Sequence, residues 1–220
     1  MKIERHGQAK VLSQSEIARL FSEGLTNSRD RALFGICLFT AVRINEACTL
    51  RVTDVYGRKG VIHPEIVVRK GNTKGRLATR TIPVIEDLRS LLKAYQPPTD
   101  NIHLFPARRG TGHINPRSAS NIFLAALRDV GIVGASTHSL RRTALTLMSN
   151  SGIPLRVIQE ISGHKDLGEL QKYLEVTDSQ KRGAVSALSL LSPSNMNVGG
   201  YVHLGDVPEA DSTQHEHSSF

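Results

Sequence analysis

The sequence lacks the features of several common protein classes. It has two cysteines, Cys37 and Cys48, which are too few for a disulfide framework or a cysteine-based zinc site. No stretch approaches the roughly 18 consecutive apolar residues of a membrane-spanning helix, and the amino terminus MKIERHGQAK has no apolar signal segment. We therefore expect a soluble, cytoplasmic protein that makes no membrane contact and keeps both thiols reduced in its core.

Basic residues are missing from the last part of the chain. Residues 193–220 hold four acidic side chains and no Lys or Arg, whereas residues 1–192 combine 28 basic with 16 acidic residues, a net charge of +12. Such an excess favours a polyanionic partner, because Lys and Arg side chains that contact phosphates release condensed counterions. A basic surface that serves solubility alone is the alternative.

Internal repeats are also missing, and 220 residues suffice for one core of roughly 150 to 190 residues. We therefore predict a single folded domain over residues 1–192. Beyond it, residues 193–220 are rich in Ser, Gly, Asn, His and acidic residues and show little periodicity. This composition predicts an acidic, disordered tail.

Helical periodicity dominates the predicted domain. Ser13 and Glu16 have the spacing of a capping box, and Asn115 with Pro116 has the pattern of another helix start. Two segments rich in β-branched residues flank a Gly, Asn and Lys stretch, which predicts a hairpin with a basic tip. The predicted fold class is α+β, mainly helical, with strands over 65–69 and 79–84 and helices over 13–21, 30–40, 44–50, 85–95, 115–127, 138–150, 154–163, 166–176 and 179–191.

Polar residues interrupt otherwise apolar helices at two places. Arg43 and Glu46 are three residues apart, as are His138 and Arg141, and on a helix each pair shares a face. Taken alone, Arg43 fits a structural ion pair with Glu46, and His138 fits a cap or a core group.

Two further candidates lie downstream in the stretch SGHKDLGELQKYLEV. His164 follows a helix-ending glycine and could be a loop residue, and Tyr173 alone fits a packing aromatic. Together with the two polar pairs and a hairpin lysine, however, they complete a set that can cleave a phosphodiester without a metal. Guanidinium groups bind the phosphate oxygens, an imidazole assists deprotonation of the phenol, and a lysine protonates the leaving oxygen.

Four stretches carry a resemblance to a known family. TAVRINEACTLRVTDV, NTKGRLATRTIPV, THSLRRTALTLMSNSGIPLRVIQEISGH and the downstream Tyr173 resemble, in order and spacing, the motifs of the tyrosine recombinase or phage integrase family. The resemblance covers the catalytic domain of that family, over roughly residues 10 to 190 of this chain. It implies the catalytic-domain fold and DNA breakage and rejoining.

The resemblance also implies roles for individual residues. Arg43 and Arg141 would bind the scissile phosphate beside His138 and His164, and Tyr173 would attack it to give a 3′-phosphotyrosyl linkage. Glu46 would support the site by orienting it. No cofactor and no metal is implied.

The general acid has two candidates. Lys74 in TKGRLATRTIP is the preferred match, and Lys70 in RKGN is the alternative; both could instead contact only the DNA backbone. Ala41 stands where the family usually has glycine, a change that matters if the backbone there requires a positive φ.

Most members of the resembled family carry a separate N-terminal helical domain, whereas about ten residues precede the first predicted helix of this sequence. We expect either a minimal, single-domain recombinase, or a fragment, or a chain that relies on a partner.

We therefore expect a site-specific recombinase, typical of mobile elements, that acts on double-stranded DNA. The resemblance implies a homo-oligomer, a tetramer in the synapse, associated with the cytoplasmic nucleoid. A type IB topoisomerase-like enzyme and a catalytically silent DNA-binding module of the same fold remain the alternatives. The target site, and the choice among integration, excision and inversion, do not follow from residue spacing.

Overall fold

The structure is a computed structural model that describes residues 9–72, 78–97, 101–171 and 178–191. Among these residues, no helix combines the length and the apolarity that a membrane span requires. The elements are α1 (Gln14–Arg19), α2 (Ser28–Phe39), α3 (Ile44–Cys48), β1 (Glu65–Val68), β2 (Arg80–Pro83), α4 (Glu86–Ala94), α5 (Pro116–Asp129), α6 (Thr137–Asn150), α7 (Leu155–Ser162), α8 (Leu167–Gln171) and α9 (Asp178–Ser186).

The helices begin where local chemistry predicts. Ser13 Oγ accepts a hydrogen bond from the Glu16 amide at 3.2 Å, and the Glu16 carboxylate accepts one from the Ser13 amide at 3.0 Å, which completes the capping box of α1. Asn115 caps α5 by accepting from the Arg117 amide at 2.8 Å, with Pro116 in the first helical position. These side chains satisfy amides that lack an intrahelical acceptor.

Helix α2 lies at the centre of the core. Residues 32–38 are all buried, and the helix packs against α3, α4 and α6. Phe34 meets Phe123 of α5 with ring centroids 4.8 Å apart. Cys37 and Cys48 are buried and free, as the sequence predicted. Burying each large apolar side chain contributes about 2 kcal/mol, so the core holds α2 and the segment after it firmly in place.

The predicted hairpin is confirmed. Strands β1 and β2 pair antiparallel with Ile66 opposite Ile82, and each strand is at most two residues shorter than expected. Ile66, Val68 and Ile82 point into the core, so alternation along the strands sets the inward face. The hairpin tip, residues 73–77, lies outside the described residues.

The chain forms two compact units, Met1–Thr177 and Asp178–Phe220. In the second unit, α9 is followed by a 3₁₀ turn over Ala187–Leu191, at the position of the last predicted helix. The predicted tail over 193–220 lies outside the described residues, and the domain boundary at residue 192 stays a prediction.

Candidate functional site

The segment between α2 and α3 turns sharply at Ala41, whose φ is 52°. This left-handed conformation costs a residue other than glycine about 1 to 2 kcal/mol. The methyl group of Ala41 is fully buried against Leu145, Ile158 and Leu170. Since the backbone here has a positive φ, alanine in place of the glycine usual in the resembled family stores strain at this turn.

Glu46 supplies a buried carboxylate at the start of α3, with 1% of its surface exposed. It accepts a hydrogen bond from the Arg43 amide at 2.8 Å, and its Oε1 lies 3.6 Å from Arg43 Nη1. The pairing of these residues is therefore present. The expectation that they share a helix face is wrong, because Arg43 precedes α3 in an extended conformation (φ −73°, ψ 150°) and Glu46 reaches back to it.

Arg141 joins α6 to two distant segments. Its guanidinium donates through Nη1 to the carbonyl of Ala41 and through Nη2 to the carbonyl of Ser162 at 3.0 Å. The residue is 3% exposed. A buried guanidinium requires several acceptors, so these carbonyls fix where the group lies.

His164 follows Gly163, which ends α7 in the left-handed conformation with φ of 65°. Its Nε2 lies 3.1 Å from Arg141 Nη2, and its Nδ1 lies 2.8 Å from Ser162 Oγ. His164 Nδ1 also lies 3.3 Å from Arg141 Nη2, and the Ser162 hydroxyl donates to the Gln159 carbonyl at 3.3 Å. The imidazole is therefore held between the Arg141 guanidinium and the Ser162 hydroxyl through its two ring nitrogens.

Burial, and then the charge of its surroundings, keeps His164 neutral. Burial lowers its pKa to about 3, and the positive charges of Arg141, Arg43 and Arg80 act in the same direction. His138 keeps an exposed side chain between buried neighbours in the first turn of α6, and its pKa is also lowered, first by the loss of surrounding water and then by Arg141 and Arg43. Both imidazoles therefore lie within the same positive field.

The described part of the site carries an excess of positive charge. The guanidinium groups of Arg43 and Arg80 pair with the carboxylate of Glu46, and both act together with Arg141 as positive charges on His164. Within the described residues, the buried Nη1 of Arg43 has no hydrogen-bond partner. A buried N–H donor without a hydrogen bond costs free energy, and binding of an acceptor removes that cost. An anionic oxygen is the strongest acceptor for a guanidinium.

Sequence reasoning missed Arg80, the first residue of β2. It donates to Glu46 Oε2 at 3.0 Å and to Oε1 at 3.4 Å. Arg80 lies two residues before the buried Ile82 and so shares with it the inward face of the strand. An inward arginine needs a partner, and this alternation was the signal that could have revealed it.

The structure thus brings together Arg43, Glu46, His138, Arg141 and His164. The alternative general acid Lys70 is exposed on the turn after β1, where its amide donates to Thr79 Oγ1 at 3.1 Å. The predicted nucleophile Tyr173 and the preferred general acid Lys74 lie outside the described residues. The catalytic roles of all these side chains stay predictions.

Comparison with known proteins gives a consistent result. Residues 10–180 match the model of the phage integrase family. The tyrosine recombinase XerA of Pyrococcus furiosus is 29% identical over 187 residues, which are 83% of this chain and 63% of that protein. A tyrosine recombinase of Thermosipho africanus is 28% identical over 80% of this chain and 61% of its own length. The chain therefore spans about six-tenths of the length of these curated relatives.

Solved structures share the fold. A crystal structure of XerA recombinase superposes with a TM-score of 0.66 at 26% identity, over 82% of this chain and 66% of that one. XerH bound to its difH substrate gives 0.61 at 23% identity, over 80% of this chain and 53% of that one, a likeness of fold alone. The expected catalytic-domain fold is confirmed. Because the family model matches most of this chain, the chain belongs to the phage integrase family.

Proposed function

We propose that the protein is a site-specific recombinase that breaks and rejoins double-stranded DNA through a 3′-phosphotyrosyl intermediate. The observation that carries this proposal is the excess of positive charge at the site: Arg43, Arg80 and Arg141 all act on His164, only Glu46 pairs with Arg43 and Arg80, and Arg43 Nη1 has no hydrogen-bond partner among the described residues. A phosphodiester carries one negative charge and gains more on its non-bridging oxygens in the transition state. Fixed guanidinium donors stabilise that gain.

The nucleophile is the hydroxyl of Tyr173. Tyr56 and Tyr95 are poor candidates because both are buried and their hydroxyls donate at 2.8 Å to the carbonyls of Leu92 and Leu104, respectively. Burial also raises the pKa of each phenol. The fourth tyrosine, Tyr201, lies in the acidic segment 193–220, which would repel a phosphate. This elimination agrees with the family motif, which points to Tyr173.

In the reaction, the Tyr173 oxygen forms a bond to phosphorus while the bond from phosphorus to the 5′ oxygen breaks. The phenol proton passes to a base, and the leaving oxygen receives a proton from a general acid. Because its pKa is lowered to about 3, His164 is neutral near pH 7, so it can accept a hydrogen bond but carries no extra proton to give to the leaving oxygen. This supports a lysine, Lys74 or the alternative Lys70, as the general acid.

Strand exchange follows from the same chemistry in reverse. A 5′ hydroxyl of a second strand attacks the phosphotyrosine and releases Tyr173, so the phosphodiester is restored without ATP. We propose that this occurs in a homotetramer assembled on two DNA duplexes at the nucleoid. The net charge of +12 over residues 1–192 supports a DNA partner, and binding should weaken steeply as salt rises.

Trapping of the covalent intermediate tests the proposal. Nicked duplexes with a randomised central sequence are incubated with the protein, and the DNA that becomes covalently attached is sequenced. We expect one sequence to be enriched and Tyr173→Phe to abolish the adduct. Adducts with no sequence preference, together with relaxation of any supercoiled plasmid, would favour a topoisomerase. DNA binding without any adduct would favour a silent binding module.

A sulfur substitution distinguishes the two lysines. A 5′-bridging sulfur leaves as a thiolate and needs no proton, so it restores cleavage to the variant that lacks the general acid. We expect rescue of Lys74→Ala. Rescue of Lys70→Ala instead would assign the role to Lys70.

A further inference from the structure

Arg80 makes contacts that join three separate parts of the site. From the start of β2 its guanidinium bonds both oxygens of Glu46, at 3.0 Å and 3.4 Å, and its Nε donates to the Ile161 carbonyl at 3.0 Å. Glu46 in turn holds the amide of Arg43. The side chain of Arg80 is only 10% exposed. One guanidinium thus links the segment that carries Arg43 to the last turn of α7.

The turn that orients His164 is fitted closely against Arg80. A Cβ on Gly163 would lie 2.7 Å from Arg80 Nη1 and 2.8 Å from its Cζ. Only glycine fits between this guanidinium and the left-handed turn with φ of 65°. His164 is the next residue, so its position depends on where Arg80 lies.

We propose that Arg80 is a positioning residue, which sets the Arg43 guanidinium and the His164 imidazole at a fixed separation around the scissile phosphate. The part of this inference that concerns the scissile phosphate rests on the proposed function. It assigns Arg80 no contact with the substrate, because each of the three guanidinium nitrogens already donates to Glu46 or to Ile161.

An arginine is required for this role. Its planar fork donates to a carboxylate and a carbonyl at once from fixed directions, whereas a lysine ammonium is a point charge that cannot span both acceptors in the same geometry. Arg80→Lys therefore keeps the charge and removes the bridge.

The other strand of the hairpin offers a matched control. Arg69, directly after β1, donates to Asp54 Oδ1 at 2.6 Å, and Asp54 accepts from the Arg51 amide at 2.9 Å, just as Glu46 accepts from that of Arg43. Arg69 is 44% exposed, however, and its Nε donates to this carboxylate rather than to a carbonyl of α7. Arg69 therefore resembles Arg80 in pairing with a buried carboxylate, but it has no link to the turn that carries His164.

The first measurement compares Arg80→Lys with Arg69→Lys on the selected nicked DNA. We expect the rate of adduct formation at saturating DNA to fall about 10- to 100-fold in Arg80→Lys, since small misplacements of reacting groups have effects of that size. The Kd for DNA should change less than about threefold. Arg69→Lys should keep both values within about twofold of the wild type. Equal losses in the two variants would overturn the inference.

The second measurement needs no DNA and separates this inference from the proposed function. The ring signals of His164, assigned through their loss in His164→Gln, are titrated by NMR together with amide hydrogen exchange at residues 161–164. Arg80→Lys should shift the His164 titration toward pH 6.5 and accelerate exchange in this turn, although the positive charge is retained. Arg69→Lys should change neither observable. If Arg80→Lys does not fold, Arg80→Gln replaces it.

The two measurements have independent outcomes. If the wild type forms no adduct on any DNA, the proposed function fails, while the NMR comparison still decides whether Arg80 positions His164. An unchanged His164 titration and unchanged exchange in Arg80→Lys would refute the positioning role even if the recombinase activity is present.

Discussion

Two residues with positive φ, Ala41 and Lys59, allow the strain at the site to be measured against a matched control. Ala41 has φ of 52° and Lys59 has φ of 57°, and neither is glycine. Lys59 is exposed, whereas the Ala41 methyl is buried. Substituting each with glycine removes the same backbone strain from two different environments.

The expected free energies follow from these environments. Glycine relieves about 1 to 2 kcal/mol of left-handed strain and costs about 0.5 to 1 kcal/mol in backbone entropy. Lys59→Gly should therefore raise the free energy of unfolding by about 0.5 to 1 kcal/mol. Ala41→Gly also loses a buried methyl worth about 0.8 kcal/mol, so its net change should be close to zero.

Ala41→Val completes the series. A β-branched residue at positive φ is a backbone outlier, and the added methyl groups overfill a packed cluster, so we expect a loss of about 3 kcal/mol. Urea unfolding of the three variants measures these changes. If Ala41→Val unfolds within about 0.5 kcal/mol of the wild type, Ala41 does not hold the left-handed turn, and the placement of its carbonyl against Arg141 is wrong.

Two further predictions concern titration and charge. Folding lowers the pKa of His164 from about 6.5 to about 3, so below pH 6.5 the unfolded state binds a proton that the folded state does not. The free energy of unfolding should therefore fall by about 1.4 kcal/mol for each pH unit below 6.5. Urea unfolding between pH 6.5 and 5 should show this slope, and a His164→Gln variant with the same slope would contradict it. Glu46→Ala should lower the free energy of unfolding by about 3 to 5 kcal/mol, because it leaves the Arg80 guanidinium, mostly buried, without its carboxylate; a loss below about 1 kcal/mol would show that the ion pair is dispensable.

Local sequence patterns predicted much of the fold for physical reasons that the structure makes plain. Ser13 and Asn115 cap helices through contacts within three residues, and the hairpin strands follow from alternation and β-branched residues. Such features depend on neighbours in the chain, so spacing alone reveals them. The family motifs extended the prediction from sequence to the site, since they identified Arg43 and Arg141 as residues that lie close together.

The same local patterns could not predict contacts between residues that are far apart in the chain. Arg80 bonds a carboxylate 34 residues away and a carbonyl 81 residues away, separations that no periodicity encodes. The positive φ of Ala41 arises because the chain must turn between two packed helices, and Arg43 is extended for the same reason. Tertiary packing sets these conformations against local preference.

Mass spectrometry of the trapped protein–DNA adduct tests the central claim most directly. The chain has four tyrosines, and trypsin places Tyr173 in a peptide that contains none of the other three. We predict that, after nuclease digestion, the nucleotide remnant is attached to Tyr173. A remnant on Tyr56, Tyr95 or Tyr201, or on a side chain other than tyrosine, would contradict the proposed mechanism.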